Sequence, residues 1–266
     1  MLCCAYPESD VVVGVDSDQD ELPTLSPPVA RTAVVRSTAP ISESLIELRV
    51  ELDEPLTFAA GQYVELRIPG SDERRSFSVL SAPGLASEYA FCIKRVPGGH
   101  FNSLLDGLQA GDELDLDGPF GTAVYRETGN PALFVANGSG IAPVLSILSD
   151  LVNRGIDVPL RFYYGLRYAA DLVYLDRLAH FADSFRDFRL IPCFSRETSS
   201  TVANARVGRV TRVIAEEIRD ASEFDAYVSG SPEMCDAIAM LLEAKGLPGR
   251  RLHVDRFFPA LPIISG

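Results

Sequence analysis

The sequence has little positive charge for its length, and this limits the partners that it can bind. Its 24 lysines and arginines stand against 37 aspartates and glutamates, so the formal net charge is −13. Because binding to a phosphate backbone depends on clustered lysine and arginine, we expect no nucleic-acid partner. We interpret the negative charge as a source of solubility, with an acidic face that steers a redox partner as the alternative.

Signals for membranes and secretion are also missing. No apolar run reaches the ~18 residues that suggest a membrane span, so we expect no membrane insertion. The N-terminus lacks the basic region of a secretory signal, which predicts a cytoplasmic protein. The chain has 266 residues, of which 47% are hydrophobic, enough for one or two packed domains, and we expect a monomer.

Cysteine is scarce, and its spacing argues against two kinds of site. The five cysteines are scattered along the chain, at Cys3, Cys4, Cys92, Cys193 and Cys235. An odd number of cysteines without a C-x-x-C pair favours neither a disulfide framework nor a self-contained metal site.

The chain divides into three segments by composition and periodicity. Residues 1–28 include an acidic stretch bounded by prolines, which is typical of a linker. Residues 29–127 contain short alternating strands separated by Gly and Pro, which predicts a small antiparallel barrel with one short helix near 101–108. In residues 128–266 apolar strands alternate with helical stretches, which predicts a parallel sheet covered on both faces. The helical stretches are 141–154, 171–181, 208–218 and 232–245.

The strongest nucleotide-binding signal is the sequence N-G-S-G-I-A-P at residues 137–143, which follows an apolar strand and opens an amphipathic helix. Gly138 and Gly140 allow the backbone to approach a pyrophosphate, and the helix N-terminus offers free N–H groups. Pro143 fits the first helical turn, where its missing N–H has no cost. An ordinary glycine-rich turn between a strand and a helix is the alternative.

Two weaker signals precede this turn in the sequence. Arg75 and Phe77 share one face of a period-2 strand, so one ligand can meet both a guanidinium and an aromatic ring. A solvated arginine is the alternative. Residues 94–102 form a glycine-rich turn that leads into a helix and are a second candidate anion site, in which we interpret His100 as a partly exposed turn residue.

In this order and spacing the motifs resemble the FAD-binding ferredoxin–NADP(+) reductase superfamily, and within it the reductase components of bacterial multicomponent aromatic-ring, alkene or methane oxygenases. The similarity covers residues 29–260. It is carried by Gly61-Gln62-Tyr63, Arg75-Ser76-Phe77-Ser78, Gly118-Pro119-Phe120-Gly121, residues 138–143, Tyr164-Gly165-Leu166-Arg167 and Ser229-Gly230-Ser231-Pro232. The resemblance implies an α+β two-domain fold, with an antiparallel Greek-key β-barrel that binds FAD followed by a parallel α/β nucleotide-binding domain.

For the flavin, the resemblance implies that Arg75 pairs with the FAD pyrophosphate and that Phe77, where the family usually has Tyr, stacks on the isoalloxazine. It implies that Ser78 hydrogen-bonds near flavin N5, which requires a bulge or a strand end because an ideal strand points Ser78 away from Phe77. Further flavin contacts are implied for Ser76, for Ile93 and Lys94 along the ribityl and pyrimidine edge, and for Gly99, Phe101 and Asn102 at the pyrophosphate.

For NAD(P), the resemblance assigns binding of the pyrophosphate to Gly138, Ser139, Gly140 and Pro143. Gly230 and Pro232 match a Cys-Gly-x-Pro motif whose cysteine lies beside the nicotinamide, and this chain has Ser229 at that position.

The adenosine end of the nucleotide is implied to lie at Arg167, Ser195 and Arg196. The pair Ser195-Arg196 is able to meet a 2′-phosphate, and the alternative is that Arg196 only stacks on adenine. NADH is favoured over NADPH on family grounds.

Both ends of the chain extend the resemblance. Asp255-Arg256-Phe257 is similar to an acidic–aromatic ending that approaches the other face of the flavin, with terminal packing of Phe257 as the alternative. Residues 2–11 resemble the end of a plant-type [2Fe–2S] ferredoxin, in which Cys3 is the fourth cluster ligand. Because the C-x₄-C-x₂-C run is absent, we expect the [2Fe–2S] cluster only in a full-length parent protein.

The implied activity is hydride transfer from NAD(P)H to FAD at a site formed by Ser78, Ser229 and Phe257. Single electrons would then pass to a [2Fe–2S] centre and on to an oxygenase or hydroxylase component, or to a ferredoxin. A free-flavin or flavohaemoglobin-type reductase and a catalytically silent FAD-binding electron-transfer subunit are the alternatives.

Overall fold

The computed structural model describes residues 25–67, 74–84, 87–96 and 100–258, without the side chains of residues 100, 102 and 104. These residues form two six-stranded sheets, one antiparallel and one parallel, in the order expected from the sequence. The fold predicted by the resemblance is therefore confirmed.

The first sheet is a nearly closed barrel. Its strands are β1 (Val29–Pro40), β2 (Leu45–Leu52), β3 (Tyr63–Arg67), β4 (Arg74–Ser78), β5 (Glu88–Lys94) and β6 (Glu113–Phe120). The spatial order is β4-β3-β6-β1-β2-β5, and the return of β6 between β3 and β1 is a Greek-key connection. The two edge strands meet where Val79, directly after β4, bridges to Phe91 of β5.

Strict alternation explains why these residues form a barrel. In β2, Ile46, Leu48 and Val50 are buried in the barrel interior, while Glu47 and Arg49 between them point outward. This period-2 pattern commits each strand to one register, because a one-residue slip would place the apolar side chains in water. The short helix α1 (His100–Leu105) contributes Leu105 to the same core.

The second sheet is parallel throughout. Its strands are β7 (Ala132–Asn137), β8 (Leu160–Leu166), β9 (Phe188–Phe194), β10 (Arg206–Val207), β11 (Asp225–Gly230) and β12 (Leu252–Arg256), in the order β10-β9-β8-β7-β11-β12. Four helices cover it: α2 (Ile141–Arg154), α3 (Leu175–Ser184), α4 (Val210–Glu217) and α5 (Pro232–Ala244). Helices α2 and α3 pack in one apolar cluster, α4 and α5 in another, so both faces are covered as predicted.

Two helices begin later than the sequence pattern predicts. The sequence pattern predicts a helix over 171–181, but α3 begins at Leu175 because Tyr174 adopts the left-handed conformation (φ 58°, ψ 36°). Similarly, α4 begins at Val210 rather than near residue 208, because Gly208 has a φ of 134°. A left-handed residue cannot continue a right-handed helix, so the helix starts after it.

The turn between β7 and α2 is seated directly on β11. A Cβ built on Gly140 would overlap the carbonyl oxygen of Ser229, and the Ser229 hydroxyl donates a 2.7 Å hydrogen bond to the carbonyl of Gly140. Gly138, two residues earlier, has a left-handed φ of 53° but open space where a Cβ would stand. Gly140 is therefore required by packing within the protein, and Gly138 by backbone conformation alone.

We expect Gly140→Ala to destabilise the protein more than its near neighbour Gly138→Ala. The first substitution forces backbone atoms apart, at a cost of about 2 kcal/mol or more, as overpacking does. The second adds only left-handed strain of roughly 1 kcal/mol. Urea denaturation of the FAD-saturated proteins measures both losses, and equal losses would contradict this account of the turn.

Candidate active site

Strand β4 presents two different faces, as the sequence predicts. Phe77 and Arg75 are paired across the ladder with Val64 and Leu66 of β3, whose side chains are buried in the barrel core. Ser78 lies on the opposite face and is the last residue of the strand. The strand end that the predicted Ser78 contact requires is therefore present.

Arg75 is partly withdrawn from water at the edge of the barrel. Its Nη1 donates a 2.9 Å hydrogen bond to the carbonyl of Arg74, and partial burial lowers the pKa of its guanidinium. The group still carries its charge at neutral pH, because an arginine pKa lies far above that range. A partly desolvated guanidinium is suited to a charge-assisted bond with a pyrophosphate. Ser76, on the other face, is exposed.

The structure places Phe77 beside Phe101. Their ring centroids are 4.9 Å apart at an interplanar angle of 37°, and both rings pack partly buried against the barrel core. Helix α1 is therefore held next to β4 by an aromatic contact. This contact puts the two predicted flavin-binding regions side by side.

The remaining predicted flavin residues differ in what they can contribute. Ile93 is buried inside the barrel opposite Ile46, so only its backbone is available to a ligand outside. Lys94 follows on the outer face and is exposed. Asn102 lies in α1, and Gly99 lies outside the described residues.

A hydrogen bond joins the end of β4 to the parallel sheet. Oγ of Ser78 donates to Oδ2 of Asp255 in β12 over 3.3 Å. Burial raises the pKa of the Asp255 carboxyl to about 6, and the Ser78 hydrogen bond opposes this rise. A carboxyl group with such a pKa exchanges its proton close to physiological pH.

The three residues predicted to be catalytic meet at this point. Ser229 of β11 is the register partner of Asp255 in β12, and Ser78 contacts Asp255 from the barrel. The backbone N–H of Phe257 donates a 2.8 Å hydrogen bond to the carbonyl of Gly230. The segments that carry Ser78, Ser229 and Phe257 therefore lie next to one another at the carboxyl edge of β11 and β12, where ligands bind in open α/β sheets, while Oγ of Ser229 is bonded to the carbonyl of Gly140.

Asn137 ties together the two turns of the predicted NAD(P) site. Its Nδ2 donates to Oγ of Ser231 (3.1 Å), and its Oδ1 accepts from the backbone N–H of Ser231 (2.9 Å). A Cβ on Gly230, whose φ is 135°, would overlap Asn137 Oδ1. In this chain a glycine at residue 230 is therefore required for Asn137 to occupy its position. Pro232 follows in the first turn of α5.

The glycine-rich turn after β7 is supported from below by a buried tyrosine. The hydroxyl of Tyr164 donates to the carbonyl of Gly138 over 3.0 Å, and burial raises the pKa of this tyrosine well above its ordinary value. Ser139 is partly buried in the turn, and Pro143 is buried in the first turn of α2. The open space above Gly138 leaves this turn accessible to a phosphate.

Two exposed arginines lie side by side at the ends of β8 and β9. The backbone N–H groups of Ser195 and Arg196 donate to the carbonyls of Leu166 (2.9 Å) and Arg167 (3.0 Å). The hydroxyl of Ser195 also donates to Leu166, over 3.1 Å. Neither Arg167 nor Arg196 forms an ion pair within the described part of the chain, so both guanidinium groups are available to a phosphate or an adenine ring.

The sequence patterns did not identify two residues of this site. The sequence pattern includes Asp255 only as part of the Asp255-Arg256-Phe257 motif, whereas the structure marks it by its burial and by its contact with Ser78. In the sequence Asn137 only flanks the glycine-rich turn, and its hydrogen bonds to Ser231 depend on how close β7 and β11 lie to each other. The sequence signal for Asp255 is its place two positions before the aromatic residue Phe257.

No cluster of three or more metal-ligating side chains is present among the described residues. Cys92, Cys193 and Cys235 are buried and free, and burial raises the thiol pKa of each to about 12. Cys3, the predicted cluster ligand, lies outside the described residues.

In the part of the chain that the structure describes, no helix has the length and apolar character needed to cross a membrane.

The groups at the site fit FAD and a nicotinamide dinucleotide. Arg75 is a partly desolvated guanidinium, the turn at Gly138 has no atom within 4 Å of where a Cβ would stand, and Asp255 is a carboxyl with a raised pKa. Residues 32–125 match the oxidoreductase FAD-binding domain family, and residues 134–240 match the oxidoreductase NAD-binding domain family. The cofactors are therefore FAD and a nicotinamide dinucleotide.

Proteins of known role are similar in sequence to nearly the whole of this chain. The reductase component of propane 2-monooxygenase from Mycolicibacterium goodii is 36% identical over 97% of this chain and 76% of its own length. The electron transfer component of toluate 1,2-dioxygenase from Pseudomonas putida is 33% identical over 97% and 76%. The crystal structure of an Amycolatopsis cytochrome P450 reductase, 32% identical, superposes with a TM-score of 0.81 over 88% of this chain and 71% of that one. The chain therefore belongs to the family of oxygenase reductase components, in which an FAD-binding oxidoreductase domain precedes an NAD-binding one.

Proposed function

We propose that this protein is a cytoplasmic, monomeric reductase that takes hydride from NADH and delivers electrons to an oxygenase component, through a [2Fe–2S] centre or a ferredoxin. The observation that carries the proposal is the convergence of Ser78, Ser229 and Asp255 where the barrel meets the carboxyl edge of the parallel sheet. Bound FAD supplies the step between two-electron and one-electron chemistry, which side chains alone do not provide.

The chain's own residues position the two nucleotides and exclude water. Arg75 holds the flavin pyrophosphate, and Phe77 supplies an aromatic surface against the flavin ring. The turn at Gly138 and the N-terminus of α2 hold the NADH pyrophosphate. With both nucleotides held by rigid elements, the reacting atoms can be kept within the short distance that hydride transfer requires.

The pair Ser78–Asp255 gives the site a means of holding a proton. When Asp255 is protonated, its carboxyl can donate to Oγ of Ser78, and when it is ionised the hydroxyl of Ser78 donates to it, over the same 3.3 Å. Because the pKa of Asp255 is about 6, both states are populated near neutral pH.

The first test concerns the reaction itself. Anaerobic mixing with NADH should bleach the flavin in a stopped-flow instrument, and ferricyanide should then restore its colour. We expect kcat/KM to be higher for NADH than for NADPH. The substitution Arg196→Ala should change kcat/KM for NADPH more than it changes kcat/KM for NADH. If NADH does not reduce the flavin, the protein is a catalytically silent subunit. If FAD is lost rapidly on gel filtration, a free-flavin reductase is favoured.

Arg75→Ala should lower FAD affinity by roughly 2–4 kcal/mol, because it removes a charge-assisted hydrogen bond and leaves a phosphate charge unpaired. Arg74→Ala is the matched control, since Arg74 is half-exposed and paired with Glu65 and Asp117 on the other face. Titration of the apoproteins with FAD measures both affinities. Equal affinities for the two variants would refute the assignment of Arg75.

Asp255→Asn should stabilise the apoprotein at alkaline pH. Burial raises the pKa of Asp255 from 3.8 to about 6, so above pH 6 the folded state carries a buried charge that the unfolded state solvates. A shift of this size corresponds to roughly 3 kcal/mol, so asparagine should add about 2–3 kcal/mol at pH 8. The gain should shrink as the pH falls through 6 towards 4.

Asp187→Asn is the control of opposite sign. Hydrogen bonds from Arg161 lower the pKa of the Asp187 carboxyl, so its charge is favourable in the folded state and the substitution should not stabilise the protein. Chemical denaturation across pH 4–8 measures both variants. A stability difference for Asp255→Asn that does not depend on pH would show that the carboxylate charge is not the cause.

A further inference from the structure

Helix α2 connects the turn at residues 137–140, here called the nucleotide turn, to the segment that follows β4, here called the flavin strand. Helix α2 starts directly after the turn at Gly138 and Gly140. Six residues after Gly140, or roughly 9 Å along the helix axis, it presents the hydroxyl of Ser146. This hydroxyl donates a 2.7 Å hydrogen bond to the carbonyl of Ser81, three residues beyond Ser78 in the barrel.

Ser146 is a costly residue at this position unless that bond is made. It has no exposed surface, and its neighbours in α2 are buried apolar side chains. A buried hydroxyl without a partner destabilises a protein by about 1–3 kcal/mol. Helix packing alone would be served equally well by alanine, so the contact with Ser81 is what distinguishes serine here.

Arg177 secures the same junction from α3. Its Nη2 donates to Oγ of Ser149 in α2 (2.9 Å) and makes longer contacts with the carbonyls of Leu80 in the barrel (3.4 Å) and Leu145 in α2 (3.5 Å). The guanidinium also lies 5.9 Å from the ring centroid of Tyr174. Arg177, a residue of α3, therefore contacts both α2 and the segment that follows β4.

The barrel segment at this junction is itself well anchored. The N–H of Leu80 donates to the carbonyl of Ala90 (2.8 Å), and the N–H of Ala90 donates to Oγ of Ser81 (2.9 Å). A displacement of residues 80–81 would therefore move the end of β4 together with β5. The position of Ser78 relative to the turn at Gly138 is thus set through Ser146 and Arg177.

We propose that Ser146 and Arg177 are positioning residues for hydride transfer: they fix the distance between the flavin strand and the nucleotide turn without touching either nucleotide. The inference rests on the proposed function, since it concerns the geometry of that reaction. A shift of about 1 Å between reacting groups can slow a reaction ~100-fold. We therefore expect the limiting rate of flavin reduction to fall about tenfold in Ser146→Ala and 10–100-fold in Arg177→Met.

The controls remove equivalent contacts that stay within the part of the chain formed by the parallel sheet and its helices. Tyr163→Phe deletes a hydroxyl bonded to Glu217 (3.1 Å), and Arg161→Met deletes a guanidinium bonded to Asp187 (2.9 Å). Neither contact reaches the barrel. These variants should lose stability comparably while keeping the limiting rate within about twofold of wild type.

The test uses the FAD-loaded full chain, in single turnover over a range of NADH concentrations. We expect the dissociation constants of FAD and NADH to change less than threefold in Ser146→Ala and Arg177→Met, while the limiting rate falls. Arg177→Lys, which keeps a cation and a donor, should recover part of the rate. In the apoproteins, amide hydrogen exchange of residues 79–81 should rise about tenfold in both variants and in neither control.

Three results would overturn the inference while leaving the proposed function intact. These are an unchanged limiting rate in Ser146→Ala, an equal loss of rate in the controls, or a loss that appears only in nucleotide affinity. If Arg177→Met does not fold, Ser146→Ala and Arg177→Lys decide the question by the same measurements. If NADH does not reduce the flavin of the wild-type protein, the proposed function is wrong, and the inference falls with it.

Discussion

A continuous apolar core joins the outer wall of the barrel to the α2–α3 face of the parallel sheet. Leu45, Ala90 and Cys92, which point out of the barrel, belong to the same cluster as Phe134 and Leu145 in the sheet and its helix. Separating the two sheets would expose this surface to water, at about 25 cal/mol for each Å². The site at the carboxyl edge of β11 therefore depends on a contact that is mainly hydrophobic, within which the hydrogen bonds of Ser146 and Arg177 set the separation of β4 and the turn at Gly138.

That packing also creates the electrostatic character of the site. The barrel covers the end of β12, so Asp255 loses water, and among the described residues its carboxyl gains one hydrogen bond, from Ser78. A carboxylate in such a place lowers stability, as buried titratable groups at functional sites commonly do. Burial also raises the pKa values of the buried cysteines, but because a thiol pKa starts higher, these side chains stay neutral and no charge is buried.

The sequence predicted what depends on local periodicity, and little of what depends on contacts between distant segments. Alternation in β2 and the bounds of α2 follow from side-chain patterns, and the structure confirms both. The left-handed Tyr174 was not foreseen, because nothing in a tyrosine favours that conformation and tertiary packing imposes it. The half-buried Asp255 was also missed as a site residue, because its pKa depends on a barrel strand 177 positions away in sequence.

Ser229 shows how one departure from the family pattern is accommodated. A cysteine at this position would place a weak S–H donor against the carbonyl of Gly140, whereas the serine hydroxyl donates a 2.7 Å hydrogen bond to it. The hydroxyl is buried, so without that acceptor the exchange of sulfur for oxygen would be unfavourable. The carbonyl of Gly140 is within reach only because residue 140 has no Cβ to hold β11 away. The serine and the glycine are thus compatible as a pair, and the turn that contacts NADH in the proposed reaction is held more firmly as a result.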